Sequence, residues 1–289
     1  MFLNLKEDNP DIPAVLIVFD HVVSSNPEFK KTYLLHGANA PQINGTRTVL
    51  KRTELGYNGK LVNDTLLPKA DNVKITQVGE HPDEFWAGDK LFKTFPYSGN
   101  NAEQGGIRTE ISPLTPSEED YFLNVMQVSD ADSQIEPLQA TLIETNTHKG
   151  VKIADRVVLF GMTKEKIASD VTFNFDGDGE FKITVAGLKE GTWEVKKDSS
   201  LIKDAVVTES GTIAEFKGES GNYTLTYKNE NSVREKVEVS YEYIEAPIKI
   251  RVNNFYVHTE NPFVENGRVM VPLRGVGDAL NAKVTWNEE

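Results

Sequence analysis

The chain has 289 residues, of which 38% are hydrophobic and 26% charged, and its formal net charge at pH 7 is −13. These values are typical of a soluble globular protein, and so acidic a chain repels polyanions, which excludes nucleic acid as an expected partner. With no cysteine in the sequence, disulfides, cysteine-based zinc sites and a cysteine nucleophile are excluded as well.

The first half of the chain is rich in strand-like segments. Residues 15–23 form a nearly continuous apolar run, which is typical of a strand buried on both faces. Asn44-Gly45 predicts a hairpin turn. Further strands are predicted at 31–36, 60–67, 73–78, 106–111, 121–128, 139–144 and 156–161. This spacing favours an antiparallel sandwich of two sheets, and no segment reaches the roughly 18 apolar residues of a membrane span.

The next section alternates polar and apolar residues. Strands are predicted at 171–175, 180–185, 191–195, 211–216 and 221–227, most of them opened by a glycine turn. Asp176-Gly-Asp-Gly179 suggests either a hairpin or a calcium loop. Phe181 stands where an EF-hand loop needs glycine, so the hairpin is favoured.

A small C-terminal module is predicted after the polar residues 228–236. Strands at 237–244, 248–252 and 283–286 flank a short helix at 272–280, with Pro272 at its start. The predicted fold class is all-β, with a large antiparallel two-sheet β-sandwich at 1–165. Final strands or a small β subdomain follow at 166–230, and a partial α+β or β module with one short helix at 231–289.

Several of these segments stand in a recognisable order: Phe19-Asp-His-Val22, Phe29-Lys-Lys-Thr-Tyr-Leu-Leu-His36, Gly106-Ile-Arg-Thr-Glu-Ile-Ser-Pro113, Asp120-Tyr-Phe-Leu-Asn-Val-Met-Gln-Val128 and Asp155-Arg-Val-Val-Leu-Phe160. Over roughly residues 12–228 they resemble the β-sheet half of heparinase II/III-like polysaccharide lyases. The family joins an (α/α) toroid to an antiparallel β-sandwich, with an acidic glycan between them.

The resemblance implies β-elimination beside a uronate carboxylate: a base removes the C5 proton, the carboxylate charge is neutralised, and an acid helps the leaving oxygen depart. It places the catalytic groups mostly on the toroid. Because the chain has no series of amphipathic helices, we expect it not to be an enzyme on its own and assign no catalytic residue. The implied partners are an upstream catalytic toroid and an acidic polysaccharide, either alginate or a glycosaminoglycan.

The end of the chain carries a second pattern, at 261–274 and 280–286. Over about residues 247–289 it resembles the copper amine oxidase N-terminal-like, or stalk, domain of bacterial surface proteins. His258 is the only histidine there, so no copper is implied. The resemblance implies a secreted or cell-surface bacterial protein. Residues 1–8 lack the apolar core of a signal peptide, and both ends suggest boundaries within a longer chain.

Asp20 and His36 are the candidate metal ligands. By strand alternation Asp20 shares a face with Leu16 and Val18, whereas His21 lies on the opposite face. Asp20 and His36 could converge if their strands pair. Because some relatives hold a metal with two histidines and an aspartate, the resemblance implies a divalent metal (Zn, Mn or Ca) in the full-length enzyme. The alternative is that Asp20 caps a turn and His36 is a hydrogen-bonded strand-end residue.

A glycan-contacting set is also predicted, because basic residues cluster locally in an acidic protein and aromatic rings offer stacking faces. The basic residues are Lys30, Lys31, Arg47, Lys51 and Arg52, and Tyr57 is one of the aromatic faces. The residues chosen as carbohydrate-binding are Lys31, Tyr33, Trp86, Tyr97 and Arg108. The alternative is solvated strand faces and core aromatics, with Arg108 paired to Glu110.

Three functions remain open: a non-catalytic β segment of a polysaccharide lyase, an autonomous carbohydrate-binding module, and a spacer or attachment module.

Overall fold

The computed structural model describes residues 1–80, 84–93 and 107–229, together with the short segments 250–252, 255–257, 263–265 and 268–270. The chain divides into two compact units, Met1–Ser232 and Val233–Glu289. Within the described residues the one helical element is the 3-10 turn Glu54–Gly56. The described part of the chain is therefore nearly all β, as predicted.

Twenty strands make up the described part of the first unit: β1 (Phe2–Asn4), β2 (Ala14–Val23), β3 (Tyr33–Gly37), β4 (Gln42–Asn44), β5 (Arg47–Arg52), β6 (Gly59–Leu67), β7 (Val73–Val78), β8 (Glu84–Ala87), β9 (Lys90–Lys93), β10 (Ile107–Pro113), β11 (Glu119–Ser129), β12 (Ala140–Glu144), β13 (His148–Ile153), β14 (Arg156–Gly161), β15 (Val171–Phe175), β16 (Phe181–Ala186), β17 (Gly191–Lys197), β18 (Ser200–Val207), β19 (Ile213–Gly218) and β20 (Gly221–Asn229).

The strands of the first unit form four sheets and one separate hairpin. The three-stranded sheet has the order β3-β10-β7, and the six-stranded sheet has the order β1-β2-β11-β6-β5-β4. The five-stranded sheet is ordered β12-β13-β14-β16-β19 and the four-stranded sheet β15-β20-β17-β18, while β8 and β9 pair with each other. Among the described strand pairs, all except β14 with β16 are antiparallel.

A hydrophobic core lies between each sheet and the next, so the sheets are stacked in the order three-stranded, six-stranded, five-stranded and four-stranded. An outer core joins the three- and six-stranded sheets through Leu35, Ile111 and Met126. A middle core joins the six- and five-stranded sheets through residues such as Ile17 and Val151. The third core, between the five- and four-stranded sheets, is the largest and buries the aromatic residues Phe173, Phe175, Phe181, Trp193, Phe216 and Tyr223.

Period-2 alternation explains how inner sheets serve two cores. On β14, Val157 and Leu159 belong to the third core, whereas Val158 and Phe160 face the middle core. On β15, three apolar residues are buried and the polar residues between them are exposed. A single two-sheet sandwich is therefore not what the described residues form.

Most predicted strands of the first unit are present, and the predicted Asn44-Gly45 turn joins β4 to β5, with Gly45 at a φ of 60°. The turn at 176–179 exists, but it joins strands of two different sheets, so it is not a hairpin. The five-stranded sheet takes strands from both sides of residue 165.

In the second unit the described strands form two short hairpins: β21 (Ile250–Val252) with β22 (Phe255–Val257), and β23 (Phe263–Glu265) with β24 (Arg268–Met270). The predicted helix at 272–280 and the predicted strands at 237–244 and 283–286 lie outside the described residues.

Candidate functional site

The two predicted metal ligands lie on strands that do not pair. Asp20 stands opposite Phe122 in the six-stranded sheet, and His36 stands opposite Arg108 in the three-stranded sheet. Both are exposed. Within the described ranges, no group of three or more His, Cys, Asp or Glu side chains is placed to hold a metal ion. The metal assignment stays a prediction about a longer protein.

Lys31, one of the predicted glycan contacts, is turned inward. Its side chain is 6% exposed, and its ammonium lies 3.0 Å from the Asp120 carboxylate, which is 10% exposed. The ammonium also donates to the Ser24 hydroxyl at 3.2 Å and to the Ser117 carbonyl. The positive charge of Lys31 is therefore satisfied inside the protein.

Arg108 and Trp86 are brought together on the outer side of the three-stranded sheet. The Arg108 guanidinium donates to one Glu110 oxygen at 2.9 and 2.7 Å and also to the Trp86 backbone carbonyl. Lys30 donates to the other Glu110 oxygen at 2.6 Å. Burial alone would raise the pKa of the Glu110 carboxyl, but the hydrogen bonds from Lys30 and Arg108 outweigh it and hold that pKa below its ordinary value. Arg108 thus pairs with Glu110, as the alternative interpretation predicted.

Tyr33 and Tyr97 complete the predicted set. Tyr33 faces the outer core, where its ring stacks on Phe122 with centroids 6.4 Å apart. Burial and the nearby Asp20 carboxylate raise the pKa of the Tyr33 hydroxyl. Tyr97 lies outside the described residues.

His21 belongs to a cluster that the sequence did not indicate. Its Nε2 atom lies 2.8 Å from Glu119 Oε1, and the same oxygen accepts a hydrogen bond from the Tyr121 hydroxyl at 2.5 Å. The His21 and Tyr121 rings stack, with centroids 4.6 Å apart. Burial, together with the Glu119 carboxylate, raises the pKa of Tyr121 to about 12. The cluster therefore holds a neutral phenol at an exposed carboxylate.

An open groove of about 350 Å³ lies at the His36 end of β3, beside β5 and β6. Its apolar lining is supplied by Leu50, Leu61 and Val128. Its polar lining consists mainly of cationic or hydrogen-bonding side chains: His36, Asn39, Lys51, Arg52, Lys60 and Ser129. We call this the cationic groove. It gathers two members of the predicted basic set, Lys51 and Arg52, and adds Lys60, which the sequence analysis did not single out.

Comparison with protein families gives two matches. Residues 142–227 match the heparinase II C-terminal domain, and residues 250–289 match the copper amine oxidase N-terminal domain. The first match covers most of the five- and four-stranded sheets. No curated protein matches the chain significantly. No helix among the described residues has the length and apolar character needed to cross a membrane. The chain thus carries a region like the heparinase II C-terminal domain, followed by one like the copper amine oxidase N-terminal domain, as the sequence resemblance predicted.

Proposed function

We propose that this chain is a non-catalytic β segment of a secreted, multidomain polysaccharide lyase that acts on a uronate-containing polymer by β-elimination. The observation that carries the proposal is the match of residues 142–227 to the heparinase II C-terminal domain. The resemblance of residues 12–228 to the lyase family supports it. The stalk-like region at 250–289 supports a cell-surface or secreted location.

In this proposal the β segment braces an upstream (α/α) toroid and lines one side of the substrate cleft. The toroid supplies the base and the acid of the reaction, and the β segment supplies a rigid wall. A stacked arrangement with three cores suits such a role because the position of each sheet is fixed by apolar contacts on its inner faces.

The test is to express this chain alone and together with the coding region upstream of it, and to measure formation of unsaturated uronate ends from alginate, heparin and hyaluronan. We expect product only from the extended protein. Cleavage by this chain alone, or an extended protein that cleaves none of the three polymers, would contradict the proposal.

A second candidate function, an autonomous carbohydrate-binding module, is favoured by the cationic groove. Affinity electrophoresis of this chain through gels containing alginate, heparin, hyaluronan or no polymer tests it. Retardation in one polymer gel supports the binding module and identifies the preferred polymer, whereas unchanged mobility in every gel contradicts it. Repeating the gels with EDTA tests the metal assignment, because loss of retardation would support a bound divalent cation.

A further inference from the structure

The cationic groove is unusual for its charge. The protein carries a net charge of −13, yet three basic side chains and one histidine line this groove, and no aspartate or glutamate among the described residues does. We propose that the cationic groove binds the carboxylates of a short run of uronate residues. The choice of uronate among anions rests on the proposed function, whereas the choice of an anion rests on the groove itself.

The strand register places two like charges side by side. Lys51 on β5 and Lys60 on β6 are direct partners across the antiparallel pair. Like charges at opposed positions destabilise a sheet unless something neutralises them. Lys60 donates to the Ser133 carbonyl at 2.9 Å, which satisfies one of its protons but leaves its charge. Within the described part of the chain, no hydrogen bond or ion pair engages the exposed Lys51 ammonium. An anion lying between the two lysines would neutralise both.

Arg52 adds a planar donor and an aromatic neighbour. Its guanidinium lies 4.5 Å from the centre of the Tyr57 ring, and this ring is 45% exposed. In the described ranges, the closest carboxylate contact of Arg52 Nε is 3.6 Å, to Glu54, and this buried nitrogen has no hydrogen-bond partner there. A carboxylate suits the fork of donors on a guanidinium, and the face of a sugar ring suits an exposed tyrosine.

A second cavity suggests a ligand longer than one sugar. This cavity has a volume of about 250 Å³ and is lined by Lys51 and Lys60 as well, so the two lysines border both spaces. Arg47 lines the second cavity but is held by both oxygens of Asp64, at 2.6 and 3.0 Å. Glu136 also lines the second cavity and acts on Arg47, so the positive charge left for a ligand is centred on the two lysines, where the two cavities meet.

The test is an amide NMR titration of this chain with a mannuronate tetramer, with cellotetraose as the neutral control and a heparin tetrasaccharide as the sulfated one. Three variants are compared: Lys51→Ala, Lys60→Ala and the matched control Lys164→Ala. Lys164 is also exposed and also lacks a partner among the described residues, but it lies outside the groove. Thermal unfolding of each variant verifies that it is folded.

We expect the mannuronate tetramer to shift the amides of Lys51, Lys60 and their neighbours, and cellotetraose to leave them in place. Each groove variant should bind the tetramer about fivefold more weakly, while Lys164→Ala binds as the parent does. Absence of binding, or equal weakening by all three variants, would overturn the groove as an anion site. Binding of the heparin fragment without binding of the mannuronate tetramer would show that sulfate groups, rather than uronate carboxylates, are recognised, and would overturn the uronate assignment. The lyase assay on the extended protein remains a separate measurement, so failure of the groove and failure of the proposed function are distinguishable.

Discussion

Two adjacent lysines, Lys30 and Lys31, provide a stringent test of how burial sets the energetic weight of an ion pair. The Lys31 pair with Asp120 is almost fully buried, whereas the Lys30 side chain, paired with Glu110 at 2.6 Å, is 68% exposed. Replacing Lys31 by methionine keeps most of the apolar stem but leaves the Asp120 carboxylate buried without its cation. Breaking such a pair costs about 3–5 kcal/mol. Losing the exposed Lys30 cation should cost about 0–1 kcal/mol, because the Glu110 carboxylate, although only 13% exposed, keeps its hydrogen bonds from Arg108.

The assay is urea unfolding followed by tryptophan fluorescence and far-UV circular dichroism. We expect Lys31→Met to lower the free energy of unfolding by about 3–5 kcal/mol and Lys30→Met by no more than about 1 kcal/mol. The double variant Lys31→Met with Asp120→Leu should recover much of the loss, because it removes the unpaired charge as well. If the two single variants lie within about 1 kcal/mol of each other, the buried pair does not act as argued.

Three further predictions concern other parts of the first unit. A Cβ on Gly150 would lie 2.0 Å from the Val158 carbonyl, so Gly150→Ala should cost about 3 kcal/mol or more in urea unfolding, whereas Gly59→Ala, in open space, serves as a tolerated control. Burial lowers the pKa of His148 to about 4. As the pH falls below 6.5, the unfolded chain binds a proton at this histidine and the folded protein does not. The free energy of unfolding should therefore decrease by about 3 kcal/mol between pH 6.5 and 4. A His148→Gln variant should lose this pH dependence, and an NMR titration midpoint of His148 near its ordinary pKa would contradict it. Ultraviolet titration should show Tyr121 ionising near pH 12. In Glu119→Gln the Tyr121 pKa should be lower, yet still above the ordinary pKa of tyrosine, because the ring remains buried. An unchanged Tyr121 pKa in this variant would show that Glu119 does not hold the phenol proton.

Local patterns were sufficient to predict most strands but not their partners. The apolar run at 15–23 predicts a strand buried on both faces, and β2 does place Ile17 in the middle core and Val18 against the outer core. β13 was not predicted because Lys149 and Lys152 interrupt its apolar residues. Its Gly150 allows β14 to approach closely, and this contact is apparent only in the folded structure. Nor does the sequence show that the turn after β15 carries the chain into a different sheet.

The candidate site was predictable only at the level of residue type. The basic residues predicted in the first half of the chain differ in whether a carboxylate neutralises them. Lys31 meets Asp120 and Arg47 meets Asp64, contacts that depend on long-range register. Lys51 and Arg52 remain beside an open groove, and no local pattern indicated that Lys60 is the cross-strand partner of Lys51. Electrostatic partners across strands decide which cation is available, and such pairing cannot be deduced from one strand at a time.

The stacking of the sheets has a consequence for how the region matched to the heparinase II C-terminal domain can be handled. That region begins at residue 142, yet one face of its five-stranded sheet, with Val151, Ile153 and Val158, is covered by the six-stranded sheet that precedes it. Excision at the family boundary would expose this apolar face to water, and we expect the resulting fragment to self-associate. The region recognised by sequence comparison therefore forms only one side of a buried interface. Its transfer to another protein requires the six-stranded sheet, or an equivalent apolar layer, to cover that face.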